Sequence, residues 1–503
     1  MPQDVLLGID LGTTTLKVAA VGASSGRLLA LASATLPVQS APDGKREQRL
    51  ADVDAALSRL TAAVRRKLGK DWIRVAGVGL AAQGGSAIIA DAATGKGLTA
   101  MQLWNDSRPL GLLPAIASFK PVSYWKRLSY LSDPGAGLAR IAWLRRCGGG
   151  EKLFRKGNIY IGAGEYAYFK LTGLWRQDAG NALQIGCYDA RRGELTDEPL
   201  ALVGLDRSFV APMRQGHQTH PLTAAGARLL HLPPGLPVAG PYIDQEAGYL
   251  SAAAASPRPL QLSLGTAWVG NFVCPRSGIP REGFNLVLPS PAGPGAMVIR
   301  VMHAGTVSWD WAVQTCLGGL PGATAAAEAV FRRRLLPPPA LTAMPWLTLP
   351  NALDRTAAGS GGFVGLSPHT GPDDMLRAMA AGLCYELTRV FESVLWHGRS
   401  RDVRATVDAA VLTGGAANGW QFRRMLAGLL TPLPVLQVAA DEPAAARGSL
   451  WAFSKQAAAV AVRPCPPPPA AERKALAQGL GRYRRLCDVL SKGLGPAAAD
   501  LLT

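Results

Sequence analysis

The start of the chain alternates short apolar runs with small polar turns. Residues 5–9 are apolar and β-leaning, "LKVAAVG" follows a Gly-Thr turn, and "GRLLALASATL" resumes after Ser24-Ser25-Gly26, which predicts strands joined by tight turns. The period then changes. Across residues 52–68, Val53, Ala56, Leu57, Leu60 and Val64 fall on one helical face, with Arg59, Arg66 and Lys67 off it. "IRVAGVGLAAQ" (73–83) returns to the continuous apolar run of a buried strand. Strands followed by alternating helix and strand predict an α/β domain.

The same pattern returns later. "IDLGTTTLKVAAV" (9–21) has an echo in "LSLGTAWVGNFV" (262–273), each reading as strand, Leu-Gly-Thr, small residues, strand. Each copy begins a half of similar length, so a duplicated domain is expected, with the boundary near residues 250–259, where "SAAAASPRP" reads as a linker or turn. The expected division is 1–252, 253–460 and 461–503. In the second half, "AAVLTGGAANGWQFRRMLAGLL" (409–430) reads as strand, glycine turn and amphipathic helix. A Pro-rich stretch at 335–350 is expected as a surface excursion, and "RPCPPPP" (463–469) to set a basic C-terminal helix, 471–490, apart from the main fold.

Composition narrows the class. A chain of 503 residues exceeds a single compact core, and 48% hydrophobic with 17% charged content is that of a globular protein. No apolar run reaches the length of a membrane span, and the N-terminus lacks the regions of a signal peptide. Seven scattered cysteines without CxxC pairs argue against a disulfide framework or zinc site and for a reducing cytoplasm. The net charge of +18 is spread in short Arg clusters without interleaved aromatics, which argues against specific nucleic-acid binding.

"GIDLGTTTLK" (8–17) is neither a P-loop nor a dinucleotide fingerprint. A hairpin with this turn can still wrap a polyphosphate. Gly12 allows close backbone approach, the hydroxyls of Thr13, Thr14 and Thr15 donate, and Lys17 adds a point charge. Asp10 would repel phosphate unless a cation lies between, so it reads as a Mg²⁺ anchor through water. Taken alone, the stretch is equally a tight hairpin with a solvated aspartate.

Four ordered segments change that balance. "GIDLGTTTLK", "LWNDSR" (103–108), "LSLGTAW" (262–268) and "LTGGAANGWQFRRMLAGLLTPLPVL" (412–436) resemble, in that order, the first phosphate motif, the sugar-side motif, the second phosphate motif and the adenosine motif of the FGGY carbohydrate kinases, within the actin/hexokinase/heat-shock ATPase superfamily. The resemblance reaches to about residue 455. It implies two ribonuclease-H-like (actin-like ATPase) α/β domains with an interdomain cleft, and ATP with Mg²⁺ as cofactors. Gly12, Thr13, Thr14, Thr15, Lys17, Gly265, Thr266, Gly305, Gly414, Gly415 and Asn418 then face the nucleotide. Gln83, Trp104, Asn105, Asp106 and Gln245 face the sugar, and His303 is expected to be structural. "GPYIDQEAGYLS" (240–251) places Asp244 at the family's catalytic position, where a carboxylate accepts the proton of the attacking hydroxyl. Asp244 also fits a helix N-cap, and the two roles are compatible.

One departure bears on the substrate. Many xylulokinases carry a Ser-Gly-Gln-Met-His-like run where this chain has "AAQGGS" (81–86); Gln83 is kept, and Gly84-Gly85 replaces Met-His. The pocket is then roomier or differently hydrogen-bonded. The resemblance implies a cytoplasmic sugar kinase, with D-xylulose to its 5-phosphate as leading reaction and D-ribulose, gluconate, glycerol or another polyol as alternative acceptors. A non-catalytic sugar sensor and a chaperone-type ATPase are the readings from other classes. Expected partners are the sugar and MgATP, no membrane, with a homodimer left open.

Overall fold

The computed structural model of the protein describes residues 4–147, 150–280, 284–302, 304–318, 323–347, 361–392 and 407–493. The chain divides into two compact units, one of Met1–Ala255, Leu286–Met297 and Pro443–Val460, the other of Ser256–Asn285, Val298–Glu442 and Ala461–Thr503.

The first unit is laid on a six-stranded sheet of β1 (Val5–Leu11), β2 (Thr15–Gly22), β3 (Leu28–Thr35), β4 (Val75–Ala82), β5 (Thr219–Pro221) and β6 (Pro237–Ile243), in the order β5-β6-β4-β1-β2-β3. β1, β2 and β3 run antiparallel, while β4 lies parallel to both β1 and β6. β1 is buried along its length except at Asp10, as a central strand covered on both faces must be. Helix α1 (Leu50–Leu68) buries Val53, Ala56, Leu57, Leu60, Thr61 and Val64, the face that the spacing predicts. β4 begins two residues later than expected. Ile73 lies on the 3₁₀ turn Gly69–Arg74 and is 88% exposed.

Three further helices of this unit bear on the site: α2 (Ala163–Thr172), α3 (Ala179–Ile185) and α4 (Asp244–Ala255). The Ala-rich run expected as a linker is the second half of α4, which continues to Ala255 because Ala favours helix. Pro443–Val460, expected with the second half, belongs to the first unit. The cause is backbone contact. A Cβ at Gly8 on β1 would overlap the carbonyl oxygen of Ala446, and one at Gly79 on β4 that of Ser449. On its other side, the short helix Ala444–Gly448 meets α4, where a Cβ on Gly448 would overlap the carbonyl oxygen of Ala247.

The second sheet contains β7 (Pro259–Leu264), β8 (Trp268–Cys274), β9 (Asn285–Pro289), β10 (Ala296–Met302), β11 (Ala409–Thr413), β12 (Val435–Val438) and β13 (Val462–Pro464), ordered β9-β10-β8-β7-β11-β12-β13. β7 pairs antiparallel with β8 and parallel with β11, and β11 is parallel to β12, just as β1 pairs with β2 and β4, and β4 with β6. The Leu-Gly-Thr echo is therefore structural, each copy forming the turn of the equivalent hairpin in a ribonuclease-H-like sheet.

Helices of the second unit include α5 (Thr306–Leu317), α6 (Pro372–Val390), α7 (Trp420–Leu429) and α8 (Ala470–Gly493). Two expectations fail here. The Pro-rich stretch is no surface excursion as far as residue 347. Leu335, Leu341, Ala343, Met344 and Trp346 are buried, and Thr342–Met344 pairs with Gly362–Val364; residues 348–350 lie outside the described residues. The C-terminal helix does not stand apart. Leu476, Leu480, Tyr483 and Cys487 are buried along one stripe, and the Tyr483 hydroxyl donates to Glu386 on α6 at 2.8 Å. Residues 494–503 lie outside the described residues. No helix among the described residues is long and apolar enough to cross a membrane.

Gly448→Ala should lower unfolding stability by about 1–3 kcal/mol, because the added carbon has to push the short helix off α4. Gly111→Ala, where an added Cβ meets nothing within 4 Å, should stay within about 0.5 kcal/mol. Urea titration of the two variants checks this, and equal midpoints would refute the backbone-contact account.

Candidate active site

The β1–β2 turn is tied down by its own polar groups. Gly12 N–H donates to Thr15 O at 3.1 Å, and Gln83 N–H, just beyond β4, donates to Leu11 O at 2.8 Å. The Thr13 hydroxyl donates to Gln83 Oε1 at 2.9 Å and accepts from Trp104 Nε1 at 3.0 Å, while Gln48 Nε2 donates to Thr13 O at 2.8 Å. Thr13, Gln83 and Trp104 therefore form one connected group, with the Thr13 hydroxyl engaged on both sides. Thr14 is exposed and Thr15 partly buried.

Asp10 sits opposite Lys17 in the β1–β2 register and beside Ala81 on β4. Burial pushes its pKa up to about 6, against the lowering charge of Lys17. Asp244 follows the last residue of β6, one strand further across, where Ile243 pairs with Ala82. It is the first residue of α4, and its Oδ1 accepts Gln245 N–H at 2.8 Å. Its pKa is pushed up to about 7 by burial first, then by the negative charge of Asp10 and of Asp178, against the Gln245 hydrogen bond. A carboxyl poised near neutrality at a helix N-terminus is a competent proton acceptor.

The sequence did not reveal what holds Asp244 in place. Arg214 donates to Pro241 O at 2.9 Å and to Glu246 Oε1 at 2.6 Å, with its guanidinium 4.1 Å from the centre of the Tyr242 ring. His217 hydrogen-bonds Tyr242 Oη at 2.9 Å and Pro291 O at 2.8 Å. Residues on both sides of Asp244 are thus clamped. A polar chain also runs beneath the Gly84-Gly85 turn: Asp178 caps α3 through Asn181 N–H at 2.9 Å, Asn181 Nδ2 donates to Glu165 Oε1 at 2.8 Å, and Gly85 N–H donates to Asn181 Oδ1 at 3.2 Å. Burial raises both Asp178 and Glu165.

In the second unit, glycine lets three backbone segments converge. Gly414, at φ 90°, follows β11 where a Cβ would crowd the Leu264 backbone, and Gly305 approaches Thr266 O and Trp268 N so closely that any side chain would clash. Thr306 N–H reaches Gly265 O at 3.3 Å at the start of α5. Gly415 is open, with nothing within 4 Å of a built Cβ, and Asn418 Oδ1 accepts from Gln437 Nε2 at 3.0 Å. Gly265, Thr266, Gly305, Gly414 and Gly415 thus gather at the carboxyl ends of β7 and β11, a backbone cradle of the kind that accepts phosphate. His303 lies outside the described residues.

Residues 5–251 match the profile of the FGGY family of carbohydrate kinases, N-terminal domain. The first unit belongs to the FGGY carbohydrate kinases. That family membership makes the chain a phosphotransferase, an ATP-dependent sugar kinase. The chain is 26% identical over 438 residues to a glycerol kinase of Methylobacterium nodulans, covering 85% of each, and 26% identical over 437 residues to a xylulose kinase of Klebsiella pneumoniae, covering 84% of each. The fold is that of the crystal structure of xylulose kinase from Rhodospirillum rubrum, with a TM-score of 0.82 at 19% identity, covering 97% of this chain and 99% of that one.

The residues expected to face the sugar differ in availability. Trp104 is 50% exposed, its indole held only at the edge by Thr13. Asn105 Oδ1 is shielded from solvent and accepts from no described group, while Gln245 is partly buried beside Asp244. Asp106 departs from its expected role as a sugar contact. Burial alone would raise its pKa, but hydrogen bonds from Arg108 and from Arg46 N–H outweigh that and hold it below the usual range. Arg108 Nη2 lies 2.6 Å from Asp106 and 2.5 Å from Glu47, so the carboxylate is a loop brace with its oxygens already engaged. The Gly84-Gly85 turn is filled rather than roomy: the side-chain amide of Gln184, on α3, lies over it. Arg214 lies outside every motif of the sequence.

A carboxyl with folded pKa near 7, against an ordinary 3.8, stays protonated where the unfolded chain is already ionised. Folding then takes up a proton, so Asp244 makes stability fall as pH rises from about 4 to 7. Asp244→Asn should remove on the order of 1–3 kcal/mol of that fall, read from urea midpoints at pH 5 and pH 7.5. An unchanged slope would contradict the burial of this group. Thr13→Ala should loosen Trp104 and raise the KM for the acceptor a few-fold, about 0.5–1.5 kcal/mol, with Thr13→Ser restoring it; a change confined to the KM for ATP would place Thr13 wholly on the phosphate side.

Proposed function

We propose that Asp244 is the general base of this kinase and that its acceptor is a small polyhydroxy compound, with D-xylulose, phosphorylated at O5, the leading candidate. The observation that carries the reading is Asp244 at the start of α4, with its pKa raised to about 7. The acceptor oxygen attacks the γ-phosphorus of ATP, the bond from that phosphorus to the β-phosphate oxygen breaks to release ADP, and the hydroxyl proton passes to Asp244. Trp104 walls the acceptor, with Gln83 and Thr13 fixing its indole, while Asn105 and Gln245 supply hydrogen bonds. In the first unit Thr14, Thr15 and Lys17 are the proposed phosphate contacts; in the second unit Gly265, Thr266, Gly305, Gly414, Gly415 and Asn418 are the proposed nucleotide contacts.

Asp10 suits a divalent cation. Two carboxyls, Asp10 and Asp244, each raised by burial and the second raised further by the charge of the first, are the donor chemistry a cation relieves. Mg²⁺ would be carried in by ATP and held by Asp10 through water. Mg²⁺ would offset phosphate charge during transfer. Relatives named glycerol kinase and xylulose kinase at equal identity leave glycerol and other polyols as the competing acceptors. A cytoplasmic enzyme supplied with ATP fits this reading.

An ADP-release screen over ketopentoses, hexuloses, alditols and aldonates should find one acceptor that stimulates turnover well above basal hydrolysis. With that acceptor, Asp244→Asn should lower kcat by about 10²–10⁴-fold while the KM for ATP changes little. Near wild-type turnover in the Asn variant would reduce Asp244 to the first residue of a helix, and acceptor-independent hydrolysis alone would point to a chaperone-type ATPase.

A further inference from the structure

We propose that the side-chain amide of Gln184 reads a hydroxyl of the acceptor beside Trp104, and that this wall selects a neutral polyhydroxy acceptor over a sugar acid. The inference rests on the kinase reading above and deepens it.

Position comes first. A Cβ built on Gly85 would overlap Gln184 Oε1 and lie 3.4 Å from Trp104 Cβ; one built on Gly84 would lie 2.5 Å from Gln184 Nε2 and overlap the end of Ile243. Ile243 immediately precedes Asp244. The amide therefore spans the two glycines, with the exposed indole on one side and the residue before the general base on the other. It occupies the space that side chains at 84 and 85 would fill.

Availability comes second. Gln184 is only partly buried, and its amide has no hydrogen-bond partner among the described residues. Its neighbours are committed: Thr13 to Gln83 and Trp104, Asn181 to Gly85 and Glu165, and Arg140 through both terminal nitrogens to Gly85 O and Trp104 O. Those bonds fix the turn and the Trp104 backbone, so a rigid wall presents one unused donor and one unused acceptor. That pair matches a hydroxyl, which both accepts and donates.

Charge decides the class. Arg140 spends both terminal nitrogens on backbone carbonyls, and Arg108 is held by Asp106 and Glu47. The charges that act on the Asp244 carboxyl are the negative ones of Asp10 and Asp178. An acceptor bearing a carboxylate would meet like charge without an uncommitted guanidinium from this wall, whereas a neutral polyol meets an amide.

The test uses the full chain, with D-xylulose, glycerol and D-gluconate as probes, and reads turnover and calorimetric binding together. Gln184→Leu keeps the size and removes both hydrogen bonds. It should lower kcat/KM for the better neutral acceptor about 3- to 12-fold, chiefly through KM, with the melting temperature and the KM for ATP unchanged because the amide gives up no protein bond. Gln184→Arg should raise the ratio of gluconate to neutral-acceptor kcat/KM by about tenfold. Deleting one acceptor hydroxyl should cost wild type more than the Leu variant. Identical kinetics in Gln184→Leu, an equal loss for all acceptors together with a lower melting temperature, or a wild type that prefers gluconate would each overturn the proposal. Should wild type turn over none of the probes, the kinase reading fails separately. Calorimetry then still decides: binding of a neutral probe weakened in the Leu variant supports Gln184, and no binding at all refutes it.

Discussion

Two carboxyls at the ends of buried strands set the terms for everything around them. Asp10 and Asp244 lie on either side of β4, each with a pKa raised first by burial, and Asp10 raises Asp244 further. Taking one carboxylate out of water is costly, and a like charge nearby adds to the cost. The fold supplies only partial relief: Lys17 across from Asp10, and a single backbone N–H on Asp244. Full neutralisation is left to what arrives. On the proposed mechanism a cation would relieve the first, and a proton the second. The incomplete compensation that would be a defect in a structural core suits the proposed phosphoryl-transfer site, where a general base has to stay able to take a proton.

Such a group has to be held firmly, because it has little to hold itself. The start of α4 is fixed from separate directions: Arg214 bridges Pro241 O and Glu246 across Asp244, the short helix Ala444–Gly448 abuts Ala247, and α3 presses Gly180 against Ile243. Arg214 and Glu246 are a buried pair, and breaking such pairs leaves an uncompensated charge. Their role in positioning the base therefore comes with a stability cost if either partner is lost. The return of Pro443–Val460 to the first unit likewise makes a late part of the chain a support for a residue two hundred positions earlier.

Much of this was legible before the coordinates. The hairpins, α1 and the strand-turn-helix at Ala409–Leu429 follow from period and glycine placement, and Asp10 and Asp244 were candidates from the first motif and from the segment at 240–251. What stayed hidden has a common physical cause: it depends on contacts between residues remote in sequence. Gly8 and Gly448 carry no periodic signal, since their function is to let backbones touch. Asp106 looks like a free carboxylate until Arg108 and Glu47 are seen around it. The stripe Leu476, Leu480, Tyr483 and Cys487 was visible at helical spacing, but prolines before it and basic residues within it obscured a buried face. Gln184 sits on a short helix with no motif of its own.

The duplication also sets two hairpins of one topology beside each other for comparison, and they differ in charge. Both hairpins pair antiparallel and lean on a parallel neighbour, and both turn on Leu-Gly-Thr. The cross-strand pair just before the turn differs. In the first copy it is Asp10 opposite Lys17; in the second it is Ser263 opposite Val269. The first hairpin thus carries a buried charge and a counter-charge, and the second carries none. A neutral copy can offer backbone N–H groups to a phosphate without repelling it, so it needs no cation. On the proposed mechanism the acidic copy would repel phosphate until a cation intervenes, which would favour the metal-bound form. One charged pair in place of a neutral one is thus what separates two turns of the same topology.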